Sequence, residues 1–562
     1  MAIGNVFVEP GVYSQFQPTT VLPVLPGGPR VVALIGTGRT TNLVNGETVT
    51  KGAIDTADDL AHLALAGFGS FAAGGTITDA NFVTYNLGVD YQLGTGGNLG
   101  DVDWGLSGAA LISGTIVGPY AGLSGKTLIL AVAGGANQSY TFTTETTAAQ
   151  VVATINTNFV GVVADDTTAP GAVTIKTSAV NNTSLLIGNG TSDSILGFTA
   201  GSFVQSPREP LAGVSYTVSY QYTKAASDYT PVFYFDMNDV ITAYGAIGST
   251  DSLQPNTLGN ILTIPVAANL VFQQGASVIC VIQCNPADGA FITQCRNGLT
   301  KLLGVEGINI VVPLSTDPML FADVENHVNL ASSITERKER TAILGMAGSP
   351  SVASVVSQAQ ALVDKRVVLA YPTAPTAILG TNPSASTLDG SFLAAALGGI
   401  RTSVQFDVAD PLTKKEVVGF QTIPNNNLRA ENNQLASNGV CVITTSSSIP
   451  RVYFGTTTDP SRVDTREYSV VEIIDYTAVS VRQLLEAIFV GQKILGGTPS
   501  QVRSTISAIL TNLVNIQIIT AFQNITAVVD SVDPTQIDVS FQISPVFPLN
   551  YILITFSLNT QG

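Results

Sequence analysis

At 562 residues the chain is too long for one ordinary domain and predicts three or four. Its net charge is −16, with only 24 Lys plus Arg, and no basic run or interleaved aromatic stripe stands out; this argues against nucleic-acid binding, which needs clustered cations to replace phosphate counterions. Hydrophobic residues make up 45% and charged residues only 11%, yet no stretch reaches the ~18 apolar residues of a membrane span, so the low charge points to a surface that faces other protein.

Residues 1–30 read as an extended arm. Phe7-Val8-Glu9-Pro10-Gly11-Val12-Tyr13 sets a Pro-Gly turn between two β-prone pieces, and Pro18, Pro23, Pro26 and Pro29 forbid helix. From Val31 to about residue 95 the pattern predicts strands and one helix, DTADDLAHLALAGF, capped by Asp55 or Thr56. Over 105–204 the character changes. LSGKTLILAVAGGANQSYTFTT predicts a hairpin turning at Gly134-Gly135, and TAAQVVATINTNF a helix with Val151, Val152, Ile155 and Phe159 on its apolar side. AVTIKTSAV and SLLIGNG follow as strands, and VSYTVSYQY then resumes the earlier style with Val214, Tyr216, Val218, Tyr220 and Tyr222 on one face.

From about 255 short apolar strands (ASVICVIQC, GINIVVPL, RTAILGMAG, RVVLAYP) alternate with helical patterns, including PMLFADVENHVNLASSITERKER and SVASVVSQAQALVDK. That alternation predicts βαβ units and a mostly parallel sheet. A further helix, GSFLAAALGGIRTS, precedes a loop-rich region to about Pro450. The last hundred residues predict two helices, the first being DYTAVSVRQLLEAIFVGQKI with Val481, Leu484, Leu485, Ile488 and Phe489 on one face. The second is opened by Thr498 as N-cap with Pro499 behind it and carries an apolar stripe of Ile506, Ile509, Leu510 and Leu513; strands ITAFQNITAVVD and QIDVSFQI follow. The final run, Tyr551 to Leu558, alternates by twos, with Ile552, Ile554, Phe556 and Leu558 on one face.

The fold class expected is therefore α/β and α+β multidomain. A β-rich N-terminal domain over 31–104 and 205–254 carries an inserted β-rich domain at 105–204. A central mixed or parallel α/β sheet domain covers 255–454, and a C-terminal α+β domain with extended terminal arms covers 455–562.

Catalytic chemistry finds little support. His62 and His327 each sit in a helix-like apolar pattern, and no G-x-S-x-G elbow or H-E-x-x-H occurs. Cys280, Cys284 and Cys295 have C-x3-C-x10-C spacing, without a tight C-x2-C knuckle or a nearby His, so burial as small hydrophobes outweighs zinc binding. Cys441 is the fourth, and four cysteines make no disulfide framework for this length. VVALIGTGRTT imitates a dinucleotide-binding turn, but Thr41 stands where the third glycine belongs and no clear helix follows, so the reading is a plain turn. No cofactor, metal or catalytic residue is expected. The start, MAIGNVFVEPGVY, lacks a signal peptide's basic and apolar regions, which predicts a product kept in a cytoplasm.

The early PGVY at 10–13, the run REYSVVEIIDYTAVSVRQLLEAIFVGQKI from Arg466, and the terminal PVFPLNYILITFSL together resemble the contractile tail sheath proteins of bacteriophages. The likeness is strongest over about 455–558 and 8–14 and looser over 255–450. Residues 105–204 match no part of the shared sheath core, as befits a variable decoration domain. The resemblance implies a non-enzymatic structural subunit of the virion tail, assembled in the host bacterial cytoplasm. It would form hexameric rings stacked helically around an inner tail tube protein and contract to drive that tube through the host envelope. Baseplate and tail terminator proteins would be further partners, with no direct nucleic-acid contact and no membrane insertion. It also implies that Val6, Phe7, Val8, Gly11, Val12 and Tyr13, and Tyr551, Ile552, Leu553, Ile554, Thr555 and Phe556, are arm strands that pair with neighbouring copies. Pairing of both termini within their own chain stays open on the sequence. So do an enzyme on the central domain, a surface-layer or adhesin protein, and an inner-tube subunit.

Overall fold

The computed structural model describes residues 30–51, 58–59, 77–79, 84–86, 90–93, 101–104, 108–223, 226–251, 260–380, 384–446 and 449–556. It falls into two compact units, one of Thr40–Ala225 and one of Ala226–Gly562 with the described residues up to Arg39.

The larger unit is built on an eight-stranded sheet, in the order Val232–Tyr234, Ile279–Gln283, Val32–Gly36, Ile310–Pro313, Thr341–Gly345, Val367–Tyr371, Val440–Ser446, Ile449–Phe454. The six inner strands run parallel, and the two outer ones join antiparallel. Inner strands such as VALIG, IVVP and VVLAY are buried throughout, as continuous apolar runs must be when both faces of a parallel sheet are covered. Val32 and Leu34 face one core with Ile264, Leu270 and Phe392; Ala33 and Ile35 face the other with Leu299, Phe321 and Val355.

The helix Gly390–Thr402 is buried at every residue. A helix apolar all round has no solvent face to offer and belongs inside. Two glycines let its neighbours close in: a Cβ on Gly399 would lie 2.7 Å from the Val271 carbonyl oxygen, and one on Gly398 3.0 Å from Val32. Asp389 caps the helix through the Ser391 N–H at 3.0 Å.

Several expectations are corrected. Val32–Gly36, grouped by the sequence reading with the β-rich domain, lies inside the large sheet, its residues paired with both Ile279–Gln283 and Ile310–Pro313. Val232–Tyr234 and the helix Met237–Tyr244 belong to this unit too, although the expected boundary was residue 254. Long-range ladder pairing, which no local pattern encodes, decides both. The loop-rich region before Pro450 contains the helix Arg429–Ser437 and the strand Val440–Ser446, and Ile449–Phe454 follows as the outer antiparallel strand. The helix begun at Pro318 stops at Ala331, where Ser332 and Ser333 turn the chain, instead of running on through the charged stretch to Arg340. Gly497, not Thr498, is the N-cap of the helix Thr498–Asn515, and the Thr498 hydroxyl accepts from the Leu495 N–H at 2.8 Å.

The smaller unit is mainly β. The predicted hairpin is Thr127–Val132 against Gln138–Thr141, and the helix Ala148–Asn158 opens with a capping box between Thr147 and Gln150. Val151, Ile155 and Phe159 join Leu128, Leu130, Val173 and Leu185 in a core of their own. In the rest of the unit Trp104 packs 5.2 Å from Tyr85 and 5.3 Å from both Tyr91 and Tyr216. Asp58–Asp59 is strand paired with Asp101–Val102, not helix as expected, because ladder pairing overrides a local apolar pattern; the remainder of that predicted helix, His62 included, lies outside the described residues.

Candidate inter-subunit interface

The end of the chain is made of the helices Tyr468–Phe489 and Thr498–Asn515 and the antiparallel hairpin Ile519–Val529 with Ile537–Pro545. Ile473, Val481, Val502, Ile506, Ile509, Leu510 and Leu513 form the core between the helices and the hairpin. The hairpin strands alternate as their sequences demand, with Phe522, Ile525, Val539, Phe541 and Ile543 turned inward. That inner face is only half-buried, because two strands are too few to cover it. Among the described residues the hairpin has no third strand, so each outer edge presents unpaired backbone N–H and C=O groups.

A complementary piece follows directly. After Pro545 the chain carries no regular structure through Phe556. Tyr551, Ile552, Leu553, Ile554 and Phe556 are all exposed, Ile552 and Ile554 at 74% and 77%, and so is Thr555. The strand expected at Tyr551–Leu558 therefore has no partner in its own chain over the described residues 551–556. Its root is held, however. Asn550 Nδ2 donates to Glu467 Oε1 at 3.0 Å, and the Tyr551 ring packs on Phe454 at 5.9 Å. The predicted arm residues Val6, Phe7, Val8, Gly11, Val12 and Tyr13 lie outside the described residues.

The helix Tyr468–Phe489 meets the large sheet through a charged stripe, spaced to fall on one face. Glu472 bonds Arg401 and lies 3.4 Å from Arg30; Asp475 takes Arg366 in two bonds of 2.5 and 2.9 Å; Arg482 pairs with Glu339, and Glu486 with Arg337 at 2.5 Å. Burial pushes the Asp475 carboxyl up, and the Arg366 guanidinium opposes it. Tyr468 is fully buried with its hydroxyl 2.7 Å from Thr341 Oγ1, and burial raises its pKa, reinforced by Glu472. Sequence patterning identified the apolar side of this helix and missed the ionic one, for which Glu472, Asp475, Arg482 and Glu486 at intervals of three, seven and four were the available signal.

The other singled-out residues that are described pack as follows. Thr37, in the glycine turn, donates its N–H to Thr263 Oγ1 at 2.8 Å and accepts the Thr263 N–H at 3.0 Å, so the turn caps the helix Thr263–Gln273. A Cβ on Gly36 would fall 2.5 Å from Thr263 Oγ1. The four cysteines are buried as free thiols, and burial pushes Cys280 up to about 12. Burial beside Arg340 takes His327 down to about 3, leaving it neutral, with Nε2 3.2 Å from the Arg340 guanidinium.

Residues 462–559 match the family model described as the phage tail sheath C-terminal domain. A tail sheath protein of Mycobacterium phage Bxz1 is 31% identical over 350 residues, covering 61% of this chain and 58% of that one. A tail sheath protein of Bacillus phage SP01 is 28% identical over 254 residues, covering 44% and 42%. The matched stretches thus span about half the length of these relatives. Among solved structures, the helical sheath of the anti-feeding prophage in its contracted state is similar at 15% identity and a TM-score of 0.47, over 59% of this chain and 89% of that one. A sheath tail protein from Desulfitobacterium hafniense is similar at 12% identity and a TM-score of 0.39, over 95% and 100%.

Proposed function

We propose that the chain belongs with the phage tail sheath proteins, whose C-terminal domain model its residues 462–559 match, and that it is a structural subunit of a contractile tail. Copies polymerise as hexameric rings stacked helically around an inner tail tube protein, bounded by baseplate and tail terminator proteins. They assemble in the host bacterial cytoplasm and become part of the virion. Contraction, a switch between two packings of rigid bodies, drives the tube through the host envelope. The role is mechanical, not catalytic.

One observation carries this reading: the chain holds both an unpaired apolar segment and an open two-stranded sheet. The exposed segment Tyr551–Phe556 is apolar, β-prone and without a partner in the described residues, and the hairpin Ile519–Pro545 is a two-stranded sheet with open edges. A second copy's segment added to that hairpin satisfies the open edge and covers the half-buried face. Each backbone bond contributes about 0.5–1.5 kcal/mol net, so one arm binds weakly and repetition along the lattice makes the connection durable. The N-terminal arm, centred on Val6–Val8 and Gly11–Tyr13, enters the same augmented sheet in this proposal. Negative-stain electron microscopy of the purified protein is expected to reveal striated tubes or polysheaths; a species that stays monomeric at high concentration would sink the reading.

Residues 105–204 sit on the outside of the particle in this scheme, and the separate core around Val151 and Leu185 supports that placement. Replacing them with a short linker is expected to leave tube formation intact and the tubes thinner. A soluble variant that builds no tubes would place the insertion in the lattice instead.

A further inference from the structure

We propose that the first turns of the helix Tyr468–Phe489 tie the two arms together, so that part of the tension passing from one neighbour to the next crosses this short stretch. The inference rests on the sheath reading and goes beyond it, by naming the path that load takes inside one subunit.

The geometry is a convergence of two arm roots. Arg30, where the proposed N-terminal arm joins the body, reaches Glu472 Oε2 at 3.4 Å, and the next residue's N–H is fixed by Asn309 Oδ1 at 2.8 Å. The C-terminal arm leaves from Asn550, held on Glu467 at 3.0 Å. Glu467 is the N-cap residue of the helix and Glu472 lies five positions on, about 7–8 Å at 1.5 Å per residue. Between them Tyr468 is locked by its bond to Thr341 and by the Arg401 guanidinium 5.6 Å from its ring. Force entering at Arg30 and leaving at Tyr551 therefore has a short route through this segment, beside the covalent one through Val31 into the sheet.

The chemistry suits a tie. Glu472 is the carboxylate that Arg30 and Arg401 share, and Arg30 Nη2 and Arg401 Nε are buried without hydrogen-bond partners among the described residues. Two desolvated guanidiniums on one carboxylate hold it firmly, because losing it leaves both charges uncompensated. Farther along the same helix the Glu486–Arg337 pair is about half exposed on both sides, so it contributes little and serves as a control on the same element.

The test uses the full chain assembled into tubes and dissociated in urea, with circular dichroism of the unassembled protein as the folding check. Asn550→Ala removes the hydrogen bond that ties the C-terminal root to Glu467, and Glu472→Gln weakens the N-terminal root. Tubes of Asn550→Ala are expected to fall apart at about half the urea concentration the wild type withstands, since each of many repeated connections is weakened. Glu486→Gln tubes should match the wild type. Asn550→Ala tubes as resistant as wild type, or Glu486→Gln tubes equally weak, overturn the tie while leaving the sheath reading intact. A wild-type chain that forms no tubes overturns both. Should Glu472→Gln fail to fold, Asn550→Ala, at a half-buried site outside any core, still decides the question.

Discussion

Replacing Ile552 and Ile554 together by Asp is expected to abolish tubes while leaving the unassembled protein as stable as before. In the lone chain both side chains are exposed, at 74% and 77%, so the folded monomer loses nothing it had. Exposed substitutions of this kind usually move stability by no more than about 0.5 kcal/mol. In the proposed lattice the same residues belong to the covered face of an added strand. There the change forfeits about 1.5–3 kcal/mol of apolar burial per isoleucine. It also brings a desolvation cost on the order of several kcal/mol for each unpaired carboxylate. Backbone bonds worth about 0.5–1.5 kcal/mol each cannot offset that sum over six residues, so the arm turns from weakly attractive to repulsive. Size-exclusion chromatography and electron microscopy read the assembly, and thermal melting reads the monomer. Full-length tubes from the double variant would mean that this segment is not the exchanged strand; a large drop in melting temperature would mean that it packs within its own chain.

Phe392→Ala is expected to destabilise the larger unit by about 3–5 kcal/mol, the cost of an aromatic-to-alanine cavity at a fully buried site. Phe392 is 0% exposed in a helix buried on every side, so no solvent-facing side chain can swing in to fill the hole. A loss of that size is a large part of the roughly 5–15 kcal/mol that holds a domain folded. The chain has a single tryptophan, Trp104, and it lies in the smaller unit among Tyr85, Tyr91 and Tyr216. Urea unfolding followed by tryptophan fluorescence should then keep its wild-type midpoint, while the helix-rich circular dichroism signal shifts to lower urea. A shift below about 1 kcal/mol in the latter would remove Phe392 from the core.

Local pattern was enough to locate most elements of the large unit. Strands such as Ile310–Pro313 and Val367–Tyr371 were legible as unbroken apolar runs, and the helix Thr498–Asn515 as an apolar stripe of Ile506, Ile509, Leu510 and Leu513. Thr263–Gln273 escaped notice because eight of its eleven residues are buried, leaving no polar face to mark a helical period. The ionic stripe of Tyr468–Phe489 escaped for the opposite reason. Charged residues on a helix ordinarily read as a solvated face, and only the arrival of Arg366 and Glu339 from distant loops and of Arg401 from the buried helix makes them an interface.

By itself the sequence determined the periodicities: which stretches alternate by twos, which recur every three or four residues, and that Tyr551–Phe556 has an apolar face in need of cover. Those are properties of neighbours along the chain, set by backbone geometry that every residue shares. Only the tertiary structure decided which of these elements meet. Val32–Gly36 finds Ile279–Gln283 and Ile310–Pro313 across more than two hundred residues, because parallel pairing depends on the crossovers between strands and not on the strand's own letters. The tertiary structure also decided that, over its described residues, the terminal strand finds no partner at home, since Asn550 on Glu467 and Tyr551 on Phe454 fix where it leaves the body and leave Ile552–Phe556 facing solvent.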